Sequence, residues 1–227
     1  MSTISKRLIY DNAKKAMVNA NIRPANAVLT QSFLRFEVGL VTGQTSYKFD
    51  VLTNEQSNFN YNTQQKLNLQ DAFICAELGF FLAVPSSNTD TTFRLYTYNN
   101  ITILTAAIAA NYMALYHGQM TLTVNQKTVI TNWDLSRHYK VPSSQQNVIG
   151  ATYASTVAPA ILRGHDELDL GKDGFYPVEP NLVLSGAAKN DFSINLPPGG
   201  IPTAVTANSR LVCVMRGILA QNVTSVK

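Results

Sequence analysis

From Ser32 to Ala220 the chain is a succession of short runs in which apolar side chains alternate with polar ones, or follow one another for strand-like lengths, and turn-forming residues close each run. Period-2 alternation puts one face of an extended segment in a core and the other in water, and it has no use for a helix. Ser32–Leu40 sets Leu34, Phe36 and Val38 against Phe33, Arg35 and Glu37, and Ser46–Leu52 puts Tyr47, Phe49 and Val51 on one face. Ala72–Val84 (AFICAELGFFLAV) is almost continuously apolar, the pattern of a strand covered on both faces, with Gly79 as the candidate bulge. Further runs are Thr92–Tyr98, Gln119–Val124, Lys127–Leu135, His138–Val141, Asn181–Ser185, Asp191–Leu196 and Arg210–Ala220. Strands at this density predict an all-β sandwich or barrel, and an eight-stranded jelly roll fits the count. Phe73, Cys75, Leu78, Phe80, Leu95, Val212 and Val214 are the expected core, with Phe33 or its alternating partners.

Two segments break the pattern. Residues 4–22 place Leu8, Ile9, Ala13, Ala16, Met17 and Ala20 near one helical face, and Pro24 ends the segment. The Ala-rich Ile101–Tyr116, preceded by Asn99 and Asn100 as candidate caps, reads as one inserted helix. The expected organisation is a basic helical N-terminal arm over 1–27 and a jelly-roll body over 28–227, with a long polar loop near 143–173.

Charge marks the same boundary. Lys6, Arg7, Lys14, Lys15 and Arg23 face one acid, Asp11, before residue 25, and this excess equals the net charge of +4 of the whole protein. The arm has two readings. It neutralises an anionic partner, the phosphates of a packaged genome or lipid headgroups, or it is an amphipathic helix docked on the body or on a neighbour with its lysines in water. Charged residues make up only 14% of the chain, against about 25% in most globular proteins. A surface this poor in charge repels its own copies weakly, which suits dense self-association.

Candidate chemistry is thin. Cys75 and Cys213 lie in apolar runs far apart in sequence and read as buried free thiols. No secretory signal is expected, and the 16-residue run Ile101–Tyr116 is short of the ~20 apolar residues of a membrane span. His117, His138 and His165 share no ligand spacing, and no nucleophile elbow, phosphate loop or zinc motif occurs. Asp166, Glu167, Asp169 and Asp173 crowd into His165–Gly174, but without EF-hand spacing and with Lys172 among them, so a solvated acidic loop is expected. Trp133 is the only tryptophan, either the anchor of an intersubunit contact or a half-buried ring whose indole N–H has a partner. The Asn100 and Asn222 sequons read as chance matches. The expectation is a non-enzyme with no cofactor and no metal.

Four runs together carry a resemblance: QSFLRFEV from Gln31, KLNLQDAFICAELGFFLAVPSSNTDTTFRLYTY from Lys66, TLTVNQKTVITNWDLSRHYKVP from Thr121, and SRLVCVMRGILAQNV from Ser209. They resemble capsid proteins of tailless, lipid-containing single-stranded DNA phages of flavobacteria, the finnlakevirus type. The resemblance implies a major capsid protein built as a double jelly roll, grouped in trimers or larger capsomers and located in the virion. Its implied partners are its own copies and other capsid proteins, with the phage genome or an internal membrane as candidates for the arm. The chain is short for two barrels, so a single jelly roll in a shell or vertex protein is the alternative. A receptor- or glycan-binding jelly-roll module is a third reading, and a metal-dependent enzyme on such a scaffold is opposed by the scattered histidines.

Overall fold

A computed structural model describes residues 3–23, 27–55, 61–99, 104, 106–141, 174–202 and 205–223. The predicted strands form two antiparallel sheets. One has β1 (Val28–Gly39), β9 (Arg210–Gln221), β3 (Ala72–Ala83) and β7 (Phe175–Ser185) side by side, with the two-residue β4 (Leu95–Tyr96) extending the β7 edge along β3. The other runs β2 (Ser46–Phe49), β8 (Asn190–Asn195), β5 (Gln119–Val124) and β6 (Lys127–Asp134). Setting β4 aside, the strand orders 1-9-3-7 and 2-8-5-6 are those of one eight-stranded jelly roll. All of the strands are used in a single sandwich. The described residues therefore have the smaller of the two architectures expected, and the double barrel implied by the resemblance is not present among them.

Side-chain alternation explains the layering. Tyr47, Phe49 and Val51 are buried together as the sequence predicts. Phe192 of β8 sits between the sheets, stacked on Phe49 at 4.8 Å and set edge-on to Phe36 at 6.2 Å. Of the expected core, Phe73, Cys75, Leu78 and Phe80 face the other sheet, whereas Phe33 points outward and its partners Leu34 and Phe36 are buried instead.

The outer face of the first sheet is apolar too, which is why β3 and β9 read as continuous apolar runs. Helix α1 (Thr3–Asn19) covers one end, packing Ala13 and Met17 on Ala72, Ile74, Ile218 and Ala220. Phe93, Leu95 and Phe175 cover the other end over Phe81, Ala83, Val212 and Val214. Residues 92–98 thus depart from the expected strand. Only Leu95 and Tyr96 pair with β3, and the alternating apolar residues lie across the sheet as a cover. The inserted helix is two pieces, α2 (Ala106–Asn111) and α3 (Met113–Tyr116). His138–Val141 is not a strand, because the Asp134 side chain accepts from Ser136 N and turns Leu135–His138 into a 3-10 helix.

The bulge expected at Gly79 lies between Cys75 and Glu77. This extra residue reverses the alternation of β3, so that Leu78 and Phe80 point inward and Glu77 does not. Gly217 of β9 faces the bulge, and a Cβ there would lie 1.9 Å from the Ile74 carbonyl oxygen. Gly79 instead makes room for the rings of Phe81 and Phe175. The β5–β6 hairpin turns through Asn125 and Gln126, both in the left-handed region (φ 48° and 67°), as a two-residue type I′ turn requires.

Gly217→Ala forces backbone against backbone with no flexible side chain to yield. It should destabilise the fold by at least about 1–3 kcal/mol, read as a lowered midpoint in thermal or urea unfolding.

Candidate functional site

The basic residues singled out in the sequence lie on or just beyond α1. Lys14 and Lys15 are exposed on its outer side, and Arg23 is exposed just after Ile22, which is buried under the helix. Lys6 and Arg7 belong to the same helix, but their side chains fall outside the described residues. Met17 and Ala13 are almost wholly buried, so the arm is a helix docked on the sheet, with the described lysines turned to water. Lys15 borders an open groove of about 1090 Å³ between α1, the edge strand β6 and β7. Its walls carry Asn12, Asn19, Thr131 and Asn181, with Lys127 and Glu179 of opposite sign.

Trp133 stands at this groove and is half buried. Its indole N–H donates to Nε2 of His138 at 2.9 Å, so the ring has the partner that the sequence reading required. The Nδ1 of His138 lies 2.8 Å from the Gly174 carbonyl oxygen and donates to it, which fixes the neutral tautomer. Phe80 and Tyr176 close on the imidazole edge-on at 5.1 and 5.3 Å. Burial pushes the His138 pKa down to about 4, against the opposing pull of the Gly174 carbonyl. The guanidinium of Arg137 lies 5.0 Å from the Trp133 ring. This arrangement anchors the end of β6 and offers no acid or base aimed at a cavity.

A second polar cluster escaped the sequence reading. Glu37 and Arg210, buried among apolar neighbours, form an ion pair at 2.8 Å. Arg35 Nε donates to the other carboxylate oxygen at 2.8 Å, joined by the Thr63 hydroxyl. Arg210 also donates to the carbonyls of Ser87 and Asn88, and its guanidinium lies 3.8 Å from the Tyr61 ring centroid. Charges read as surface in a sequence, and a partner 173 residues away leaves no local signal. The cluster ties the loops at 61–64 and 87–88 to β1 and β9.

Both cysteines are free and buried, and burial pushes the Cys75 thiol up to about 12. Among the described residues no three His, Cys, Asp or Glu side chains gather as a metal site, and no helix is long and apolar enough to cross a membrane. His117 is exposed, and His165 with the acidic residues Asp166, Glu167, Asp169 and Asp173 lies outside the described residues.

Because His138 is held neutral, the unfolded chain takes up its proton below about pH 6.5 while the folded chain resists until about pH 4. This group's contribution is present at neutral pH and is lost as pH falls through that window, by about 3 kcal/mol at most. Urea unfolding of His138→Gln beside the wild type, from pH 7 to pH 4, should show a flatter decline in the variant. Compared with known protein families, curated proteins and solved structures, the chain matches none, so its function rests on the geometry described above.

Proposed function

We propose that this protein is a structural subunit that assembles with its own copies into a closed shell, in the manner of a viral capsid protein, with the virion as its location. The observation that carries the reading is the single jelly roll with strand orders 1-9-3-7 and 2-8-5-6, an architecture used by many capsid subunits. The sparse charge of the surface supports it, since neutral polar surfaces tolerate close packing of identical copies. Partners of the same kind are its own copies in capsomers and other shell proteins, with nucleic acid or anionic lipid at the helix bearing Lys14 and Lys15. The resemblance of the four sequence runs points the same way. A place at the vertices rather than throughout the shell satisfies the same observations. A glycan-binding role is less well supported, because the one tryptophan already carries Arg137 against its ring.

Electron microscopy and sedimentation of the purified protein test this directly. Capsomers or particles are expected, and a monomer at all concentrations, salts and pH values overturns the reading. The charge role of the helix has its own test. Replacing Lys6, Arg7, Lys14 and Lys15 with Gln should leave the melting temperature nearly unchanged, since each surface substitution of this kind, as at the exposed Lys14 and Lys15, shifts stability by about 0.5 kcal/mol or less. It should weaken assembly around anionic contents as added salt does. Normal filling of particles by this variant at low and high salt assigns α1 a packing role alone.

A further inference from the structure

The edges of the two sheets are guarded unequally. β2 is only four residues long and carries Lys48. β6 carries Lys127, has two register breaks against β5, and has Asn132 in the left-handed region at φ 55°. β7 contains Pro177 and Pro180. Short length, lysine, proline and bulges are the devices that stop a sheet edge from pairing with another chain. β1 lacks all of them from Val28 to Leu34. It pairs with β9 without a register break, has no charge or proline in this stretch, and exposes Val28 (55%) and Phe33 (49%).

The backbone of that edge can be placed. Arg35 N donates to the Gln65 carbonyl at 2.8 Å and the Arg35 carbonyl accepts from Gln65 N at 2.9 Å, so Arg35 turns its backbone groups away from β9. Alternation along an antiparallel strand then turns those of Leu29, Gln31 and Phe33 the same way. Among the described residues nothing pairs with them.

We propose that residues 28–34 of β1 pair antiparallel with the same residues of a second copy, about a two-fold axis at Gln31. A two-fold axis normal to a sheet keeps each side chain on its own face, so the two residue numbers of a pair must add to an even number. Axis and backbone direction agree at Gln31, where Leu29 meets Phe33, Gln31 meets Gln31 and Phe33 meets Leu29, each pair exchanging two hydrogen bonds. The intervening pairs are Val28 with Leu34 and Thr30 with Ser32. Read outward from Gln31, the segment VLTQSFL is thus self-complementary in kind, apolar against apolar and hydroxyl against hydroxyl. The exposed Val28 and Phe33 each gain an apolar neighbour. Pairing ends at Arg35, whose backbone is held by Gln65. A contact this short covers less than the roughly 1,200–2,000 Å² of a self-sufficient interface. It is one contact among those that hold a subunit in an assembly, and in this respect it rests on the shell reading.

The test uses the full chain in sedimentation over a wide concentration range. Gln31→Pro removes an N–H from the open edge alone, a position where strands accept proline. Gln31→Lys leaves the backbone intact and sets two like charges together at the axis. Both should weaken self-association about tenfold or more at an unchanged melting temperature, and Gln31→Lys decides the matter if Gln31→Pro melts lower. In Gln31→Cys the two Cα atoms would stand about 5.5 Å apart, within disulfide reach, so diamide oxidation should give a covalent dimer, while exposed Thr131→Cys on β6 should not. If the wild type associates but these variants associate equally and Cys at 31 fails to cross-link, the edge contact is wrong and the shell reading stands. If the wild type is monomeric throughout, both fall.

Discussion

Everything in this sandwich waits on β9. The last strand lies between the first and the third, pairing with β1 along twelve residues and with β3 along nearly as many, and it is buried on both faces for most of its length. Its inward residues Leu211, Cys213 and Met215 complete the core. Its outward residues Val212, Val214, Ile218 and Ala220 receive the covers at both ends of the sheet. Without it β1 has no neighbour to hydrogen-bond in its own sheet. β1 therefore cannot join β3 and β7 in the first sheet until β9 is in place, and pairings across so much sequence make folding slow.

The Glu37–Arg210 pair fixes that late strand in place. The carboxylate on β1 and the guanidinium on β9 are set so that a slip of one residue would separate them, leaving the buried Arg210 without its carboxylate and Glu37 with Arg35 alone. Breaking such a pair costs more than its formation returns, so it serves register better than net stability. Its neighbours Arg35, Thr63 and Tyr61 extend the same discipline to the loop that crosses beside β1.

Much of this was legible in the amino-acid order, because side-chain periodicity reports burial directly. The two-faced character of β3, the shared face of Tyr47, Phe49 and Val51, the buried thiols and the partnered indole were all readable. The failures share a cause, since they depend on what lies opposite a residue. The sequence points to Gly79 on the bulged strand itself, but the glycine that accommodates the bulge is Gly217 on the neighbour. Phe93 and Leu95 alternate like a strand, yet only Leu95 and Tyr96 pair, and Phe93 and Leu95 serve as a lid on the outer face of the sheet that β4 joins. The run Asn181–Ser185 is only the last part of β7, which begins at Phe175 and includes Pro177 and Pro180, residues that an edge strand accepts. The ion pair was invisible for the same reason, as each charge looks like surface until its partner is found.

The docking of α1 has a consequence for orientation. The helix packs its buried face on the β1-β9-β3-β7 sheet, while Lys15 on its exposed side lines the groove that β6 of the other sheet borders. A flexible basic tail could reach toward an anionic partner from either side of the molecule, but a packed one cannot. Whatever Lys15 grips lies beside the β6 edge, at one flank of the sandwich. The molecule thereby presents its basic helix on one fixed side, set by which sheet wears it.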